Sequence, residues 1–324
     1  MDELLGQLGT VTKDDRILVG TETSDDAGVF LNTDGSALVQ TVDFFPPVVD
    51  DPYDYGRIVA ANSLSDVYAM GAKPVAVLNV VAWPGGKLGV DILAQVLLGA
   101  GEKIREAGAC LLGGHTMENS QVLYGLSVTG FAAPDAFVRN STAKAGEALI
   151  LTKPLGSGIL STAAKGKALP EDVLKRLVTM MARLNDSAGE VMVAMNAGAC
   201  TDVTGFGFLG HLYEIAAGSG VGFDVDSAAV PIFPEALDFT AQGFFPGGSG
   251  RNRDYLAGQL EVAAGVDEHL VEVFVDAQTS GGLLFTVAPE KVPEALERLH
   301  AAGDTRAACV GRARPADGPL IRVT

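Results

Sequence analysis

The sequence predicts a mixed α/β or α+β fold in two domains, and three observations carry that prediction. Short apolar runs bounded by turn residues alternate with stretches whose apolar residues recur at helical spacing, as in chains that mix strands and helices. At EALILTKPLGSG (147–158) a strand pattern runs into a Pro/Gly loop and longer helical stretches begin. A length of 324 residues, 48% apolar and 19% charged, suits two compact domains with ample core. The boundary is set at 147/148, giving an N-terminal domain over 1–147 and a C-terminal domain over 148–324.

The elements follow in order. RILVG (16–20), AGVFL (27–31) and ALVQTVDFF (37–45) read as strands separated by turns. From Asp54 to Met70 the spacing of Ile58, Ala61, Leu64, Val67 and Tyr68 is helical, and Gly71 with Lys73-Pro74 ends the helix. PVAVLNVVAW is the next strand, 90–107 an amphipathic helix closed by Gly108, and ACLLGG and VLYGLSVTGF two more strands. In the second half, helices are expected over 158–167, 170–184, 187–197 and around 207–217. A strand follows near 221–225, then a loop of low regularity over 240–256. The strand GLLFTVAP, the helix PEKVPEALERLHAAG and terminal strands complete the chain.

Composition excludes several classes of partner. A net charge of −17 repels nucleic acid and anionic membranes, so neither is expected to bind. No apolar run reaches the length of a membrane span. MDELLGQLG lacks the basic and apolar regions of a secretory signal. Cys110, Cys200 and Cys309 are far apart and form no CxxC, which suits small buried apolar residues in a reducing cytoplasm rather than a disulfide framework or zinc site.

Several acids stand in places where a carboxylate needs a reason. Asp25 and Asp26 in TSDDAGV are either a solvated turn or one side of a cation site. Asp43 ends a strand that otherwise looks buried. Asn62 and Asp66 share one face of a helix whose other residues are small or apolar, and a carboxylate there needs a partner. Asp202 follows a short strand and precedes a Gly-rich approach to a helix, and Asp276 stands just before a Gly pair. Taken together, Asp25/Asp26, Asp43, Asn62, Asp66 and Asp202 offer oxygen ligands without His or Cys. That set suits Mg²⁺, or Mn²⁺, held jointly by carboxylates and substrate phosphates. Such ions would also let so acidic a chain hold a polyphosphate. Phosphate-side donors are expected from a turn at Gly113-Gly114-His115-Thr116, where glycines expose backbone N–H groups and Thr adds a hydroxyl. There is no Walker A motif and no kinase signature set. His211, His269 and His300 read as surface or packing residues.

With these motifs in hand, the chain resembles the selenophosphate synthetases (selenide, water dikinases), of the ATP-binding superfamily that includes aminoimidazole ribonucleotide synthetase. The matching blocks are TSDDAGV (23–29), TVDFFPPVVDDPYDYGRIVAANSLSDVYAMGAKP (41–74), GGHT (113–116), YGLSVTG (124–130), LTKPLGSG (151–158), TDVTGFGFLGHL (201–212), PGGSGRN (246–252) and DAQTSGGLL (276–284). They span nearly the whole chain, with Ala277 where the family usually has Pro.

The resemblance implies an N-terminal sheet shared across a homodimer, a C-terminal sheet flanked by helices, and ATP sites along the joined sheets. It implies ATP-dependent synthesis of selenophosphate from selenide and water, with release of AMP and orthophosphate. By position it assigns Asp26, Asp66 and Asp202 to magnesium. It assigns Thr23, Ser24, Asp25, Asp43, Asp66, Gly114, His115 and Thr116 to ATP, with Asn62 beside them. The family's reactive Cys or selenocysteine, followed three residues later by Lys, is expected before Met1. Lys13 lacks that context. A chain starting at Met1 is therefore expected to fold, dimerise and bind Mg–ATP yet make little selenophosphate. The alternatives are a phosphotransferase resembling thiamine-monophosphate kinase and a non-catalytic ATP-binding relative.

Overall fold

The computed structural model describes residues 14–21 and 24–324. The first half builds a six-stranded sheet from β1 (Ile17–Val19), β2 (Gly28–Leu31), β3 (Ala37–Phe45), β4 (Lys73–Trp83), β5 (Cys110–Glu118) and β6 (Leu123–Ala132), in the order β1-β2-β3-β6-β4-β5. β3 and β4 both run antiparallel to β6, and β5 runs parallel to β4. The links from β3 to β4 and from β4 to β5 therefore join parallel strands and need crossover helices. These are α1 (Pro52–Ala69) and α2 (Val90–Glu106). The two helices pack on each other, so both crossovers return over the same side of the sheet. A methyl added to Gly56 would lie 1.9 Å from the Val96 carbonyl oxygen, and one on Gly99 would lie 2.0 Å from that of Tyr53. Only glycine at both positions lets the two backbones meet.

The other face of this sheet stays bare. Along β3, Thr41, Asp43 and Phe45 turn towards α1, while Val42 (55% exposed) and Phe44 (50%) face outward. All nine residues of β5 are exposed, including Leu111, Leu112 and Met117. Val39, Val77 and Val81 of the same sheet are buried within the chain. Cys110 is exposed too, against the expectation that all three cysteines are buried.

α1 is the hub. Its start is fixed by the Asp51 side chain, which accepts from the Asp54 backbone N–H at 2.9 Å, with Pro52 supplying the helical φ of a first position. β3 and β6 cover one side of the helix. The other side meets α4 (Glu171–Met181), α5 (Asp186–Ala194) and β8 (Cys200–Asp202) of the second half. Residues 58–70 are buried without a break. A helix buried all round cannot keep a polar face for water, so its polar side chains must find protein partners.

The second half is built on a seven-stranded sheet. β8 is joined by β7 (Ala148–Leu151), β9 (Val221–Val225), β10 (Leu260–Val262), β11 (Leu283–Val287), β12 (Ala308–Pro315) and β13 (Ile321–Val323), in the order β10-β13-β9-β12-β7-β11-β8. Beside α4 and α5 the flanking helices are α3 (Ser157–Lys165), α6 (Gly207–Ser219), α7 (Pro234–Ala241), α8 (Ser249–Tyr255), α9 (Glu268–Val275) and α10 (Val292–Ala301). α8 lies within the stretch expected to be an irregular loop. Its Asn252 is 5% exposed and donates to the carbonyls of Gly205 and Val275, which anchors this short helix.

Candidate active site

Two halves of the chain deliver acids to one region. Asp26 stands just before β2, Asp43 on β3, Asp66 on α1 and Asp202 at the end of β8. Each is held by a neighbour. The Thr201 hydroxyl donates to Asp26 Oδ1 at 2.7 Å, across the junction between the halves. The Thr41 hydroxyl donates to Asp66 Oδ2 at 2.5 Å, and the Asn62 amide to Asp43 Oδ2 at 2.5 Å. Asn62 Oδ1 in turn accepts from the backbone N–H of Ser280 at 2.9 Å. Asn185 ties Ser65 of α1 to the Gly281 carbonyl. The loop QTSGG is thus stitched to α1 beside the acids.

The four carboxylates feel one another. Burial pushes Asp26 well above the usual carboxylate range, and the charge of Asp202 adds to it against the Thr201 hydrogen bond. Burial also lifts Asp66, with the charges of Asp202, Asp43 and Asp26 adding in that order. Asp43 is pushed up to about 6 by burial and then by Asp202, against the Asn62 hydrogen bond. Asp202 is raised by burial, while Ser65, His211 and Lys153 favour its charged form. Asp26 is half-buried as a residue, yet its Oδ2 is sealed from solvent without a hydrogen-bond partner, and so is Oδ2 of Asp202. An unpaired buried carboxylate oxygen is costly unless a cation or donor meets it.

Among the described residues, no three or more His, Cys, Asp and Glu side chains form a ready-made metal cage. The donor set is all oxygen, two oxygens are unpaired, and the acids repel one another. Those features fit a divalent cation.

Asp25 lies close enough for its charge to help raise Asp26. Its Oδ1 accepts from the backbone N–H of Asn140 at 2.7 Å, and the Ser24 carbonyl accepts from the Asn140 amide at 2.8 Å. Thr23 lies outside the described residues, as does Lys13. Gly113–Thr116 is not a turn but part of β5, paired with Leu78–Val81 of β4. A methyl on Gly114, at φ +152°, would lie 2.2 Å from the Asn79 carbonyl oxygen, so this glycine serves a close strand contact. β5 is three strand positions from β3, roughly 14 Å at normal strand spacing, so the chain alone does not bring His115 and Thr116 to Asp43.

Asp276 serves the fold. It is fully buried and accepts from the backbone N–H groups of Gly158 and Ile159 at 3.0 and 3.1 Å, capping the start of α3. Burial pushes it up to about 7 against those hydrogen bonds. Sequence reasoning did not single out Thr41, Thr201, Ser65, Asn185 or Lys153. Hydroxyl and amide residues on buried elements gave the only available signal. His211 is buried, with Nε2 3.2 Å from the Thr204 hydroxyl and Nδ1 2.9 Å from a Glu214 carboxylate oxygen.

The family model described as AIR synthase related protein, N-terminal domain, matches residues 24–132, and that described as AIR synthase related protein, C-terminal domain, matches 144–323. A selenide, water dikinase of Pelobacter propionicus is 47% identical over 310 residues, covering 96% of this chain and 88% of that protein. The chain belongs to the selenide, water dikinase family. Membership makes it a phosphotransferase enzyme. The fold is shared more widely. A thiamine-monophosphate kinase from Stenotrophomonas maltophilia K279a superposes with a TM-score of 0.69 at 22% identity, covering 99% of this chain and 94% of that one. The hydrogenase maturation protein HypE, solved in complex with ATP, gives 0.68 at 18% identity, covering 98% and 85%. At such identities these two carry the architecture of the selenide, water dikinase fold and nothing finer. The thiamine-monophosphate kinase alternative is therefore not favoured.

Proposed function

We propose that this enzyme makes selenophosphate from selenide, water and ATP, releasing AMP and orthophosphate, with the nucleotide phosphates gathered over Asp26, Asp43, Asp66 and Asp202. The observation that carries this reading is the pair of sealed, unpaired oxygens, Asp26 Oδ2 and Asp202 Oδ2, contributed from opposite halves of the chain. Mg²⁺, or Mn²⁺, bound by Asp26, Asp66 and Asp202 would offset the charge that spreads over the phosphoryl group during transfer. Thr201, Thr41 and Asn62 keep the carboxylates of Asp26, Asp66 and Asp43 aimed, so little reorganisation is left for the moment of reaction. Ser24 and Asp25, pinned to Asn140, shape the segment along which the nucleotide lies.

The occupant of the bare N-terminal face is a second copy of this chain. The face presents Val42, Phe44 and Leu78 beside an exposed β5 that carries Leu111, Leu112 and Met117, more than a soluble surface leaves open without use. Gly114, His115 and Thr116 lie on that exposed edge strand. Net charge of −17 and three free cysteines favour a reducing cytoplasm as the enzyme's setting. The division at 147/148 separates the sheet that dimerises from the sheet that supplies Asp202.

Asp66→Asn or Asp202→Asn in the full-length enzyme should reduce Mg²⁺-dependent ATP turnover by roughly 100-fold or more, the scale of losing one charge-stabilising group. Thermal unfolding should stay cooperative. Wild-type turnover in either variant removes the assignment.

A further inference from the structure

We propose that Thr204, His211 and Glu214 form the proton-accepting arm for the water that cleaves the nucleotide, with the Thr204 hydroxyl as the group that touches that water. The proposal rests on the reading that the phosphates lie over the four acids. It starts from the pair of contacts His211 makes: Nδ1 lies 2.9 Å from Glu214 Oε2, and Nε2 lies 3.2 Å from Thr204 Oγ1. An ionised carboxylate only accepts, so Nδ1 carries the hydrogen, and a neutral imidazole then has its lone pair on Nε2. In that neutral tautomer the Thr204 hydroxyl donates to His211 Nε2, and the Thr204 oxygen is left to accept. A hydroxyl so polarised by an imidazole that a carboxylate orients is the arrangement that activates hydroxyl groups in acyl-transfer enzymes. Here the third participant is water.

The surroundings favour this use. His211 and Glu214 are closed off, with side chains 8% and 12% exposed, and the Phe206 ring meets the imidazole edge-on at 5.6 Å. Thr204 is half-buried, next to exposed Gly205, so it stands at the open end of the relay. It is two residues beyond Asp202, a span of at most about 7 Å of extended chain. The charged groups that act on the imidazole are Glu214 on its own helix and Asp202 on β8.

The step balances. The water oxygen bonds to the phosphorus of the phosphoryl group still attached to AMP. The bond from that phosphorus to its bridging oxygen breaks, and the electron pair leaves with AMP. The water proton passes to Thr204 Oγ1 as the threonine proton moves to His211 Nε2. The imidazolium that results is met by Glu214, and the products are AMP and orthophosphate.

Three variants and one spectrum test the arm. His211→Gln and Thr204→Val should lower kcat for selenide-dependent AMP release in the full-length enzyme by about 100-fold or more, the usual contribution of a positioned base. Both should bind Mg–ATP within about threefold of the wild type, as expected where only transition-state contacts are lost. Thr204→Ser, which keeps the hydroxyl, should retain most of the rate. The ¹⁵N spectrum of the wild-type imidazole should show the Nδ1–H tautomer, a readout that needs no turnover. Wild-type rates in Thr204→Val, loss of Mg–ATP binding in step with rate in His211→Gln, or an Nε2–H tautomer would each overturn the arm. Wild-type Mg–ATP binding by Asp66→Asn and Asp202→Asn would instead overturn the nucleotide reading on its own.

Discussion

Asp43 and Asp276 are both acids lifted by burial, yet one faces the candidate site and the other caps a helix. Asp43 is pushed up to about 6 and Asp276 to about 7, from an ordinary value of 3.8. Between those values the folded chain binds more protons than the unfolded one. Their contribution to stability is thus complete below 3.8 and is lost as pH rises through 6 and 7. Without divalent ions, the thermal midpoint at high salt should fall between about pH 5 and about pH 8, and Asp276→Asn should flatten that slope. A midpoint that rises over the range contradicts the buried carboxylates. The sequence made the site acids legible because each stood at the end of an element with apolar neighbours. The same signal could not separate Asp276, whose partners are backbone N–H groups of a helix 118 positions away. Nor could it raise His211 above packing, since Glu214 and Thr204 meet it only once α6 is folded against its own approach loop.

α1 decides where Asn62 and Asp66 point, and Gly99 decides where α1 sits. Gly99→Ala would push a methyl to 2.0 Å from the Tyr53 carbonyl oxygen. It should cost about 1–3 kcal/mol as overpacking, read from urea unfolding, and weaken Mg–ATP binding as α1 shifts. A gain in stability, the usual result of Gly→Ala at an open helix position, would contradict the close contact. The boundaries of α1 were nearly legible from its spacing, because Gly71 and the prolines punctuate it. β5 was misread where two glycines suggested a turn, whereas both lie within the strand and Gly114 makes a tight approach to β4. α9 received no reading at all: EHLVEVFV is rich in β-branched residues that locally favour strands, and packing against α6, α7 and α8 overrides that preference.

At the scale of the whole molecule, the two halves share one core that runs from Val39 and Ile58 to Phe208 and Leu284, and the bare sheet face is the proposed seat of a second copy. Val42→Glu combined with Phe44→Glu should convert a dimer at micromolar concentration into a monomer by sedimentation, because charges replace the centre of an apolar face. A wild-type chain that sediments as a monomer at that concentration contradicts the shared sheet. Whether carboxylates from both halves hold one metal–nucleotide complex is tested most directly by Mn²⁺ electron paramagnetic resonance with ATP. The wild-type chain should deplete the free Mn²⁺–ATP signal stoichiometrically. Asp66→Asn from the first half and Asp202→Asn from the second, each with wild-type near-ultraviolet circular dichroism, should leave that signal near its protein-free level. Undiminished Mn²⁺–ATP binding by either folded variant would contradict the shared site.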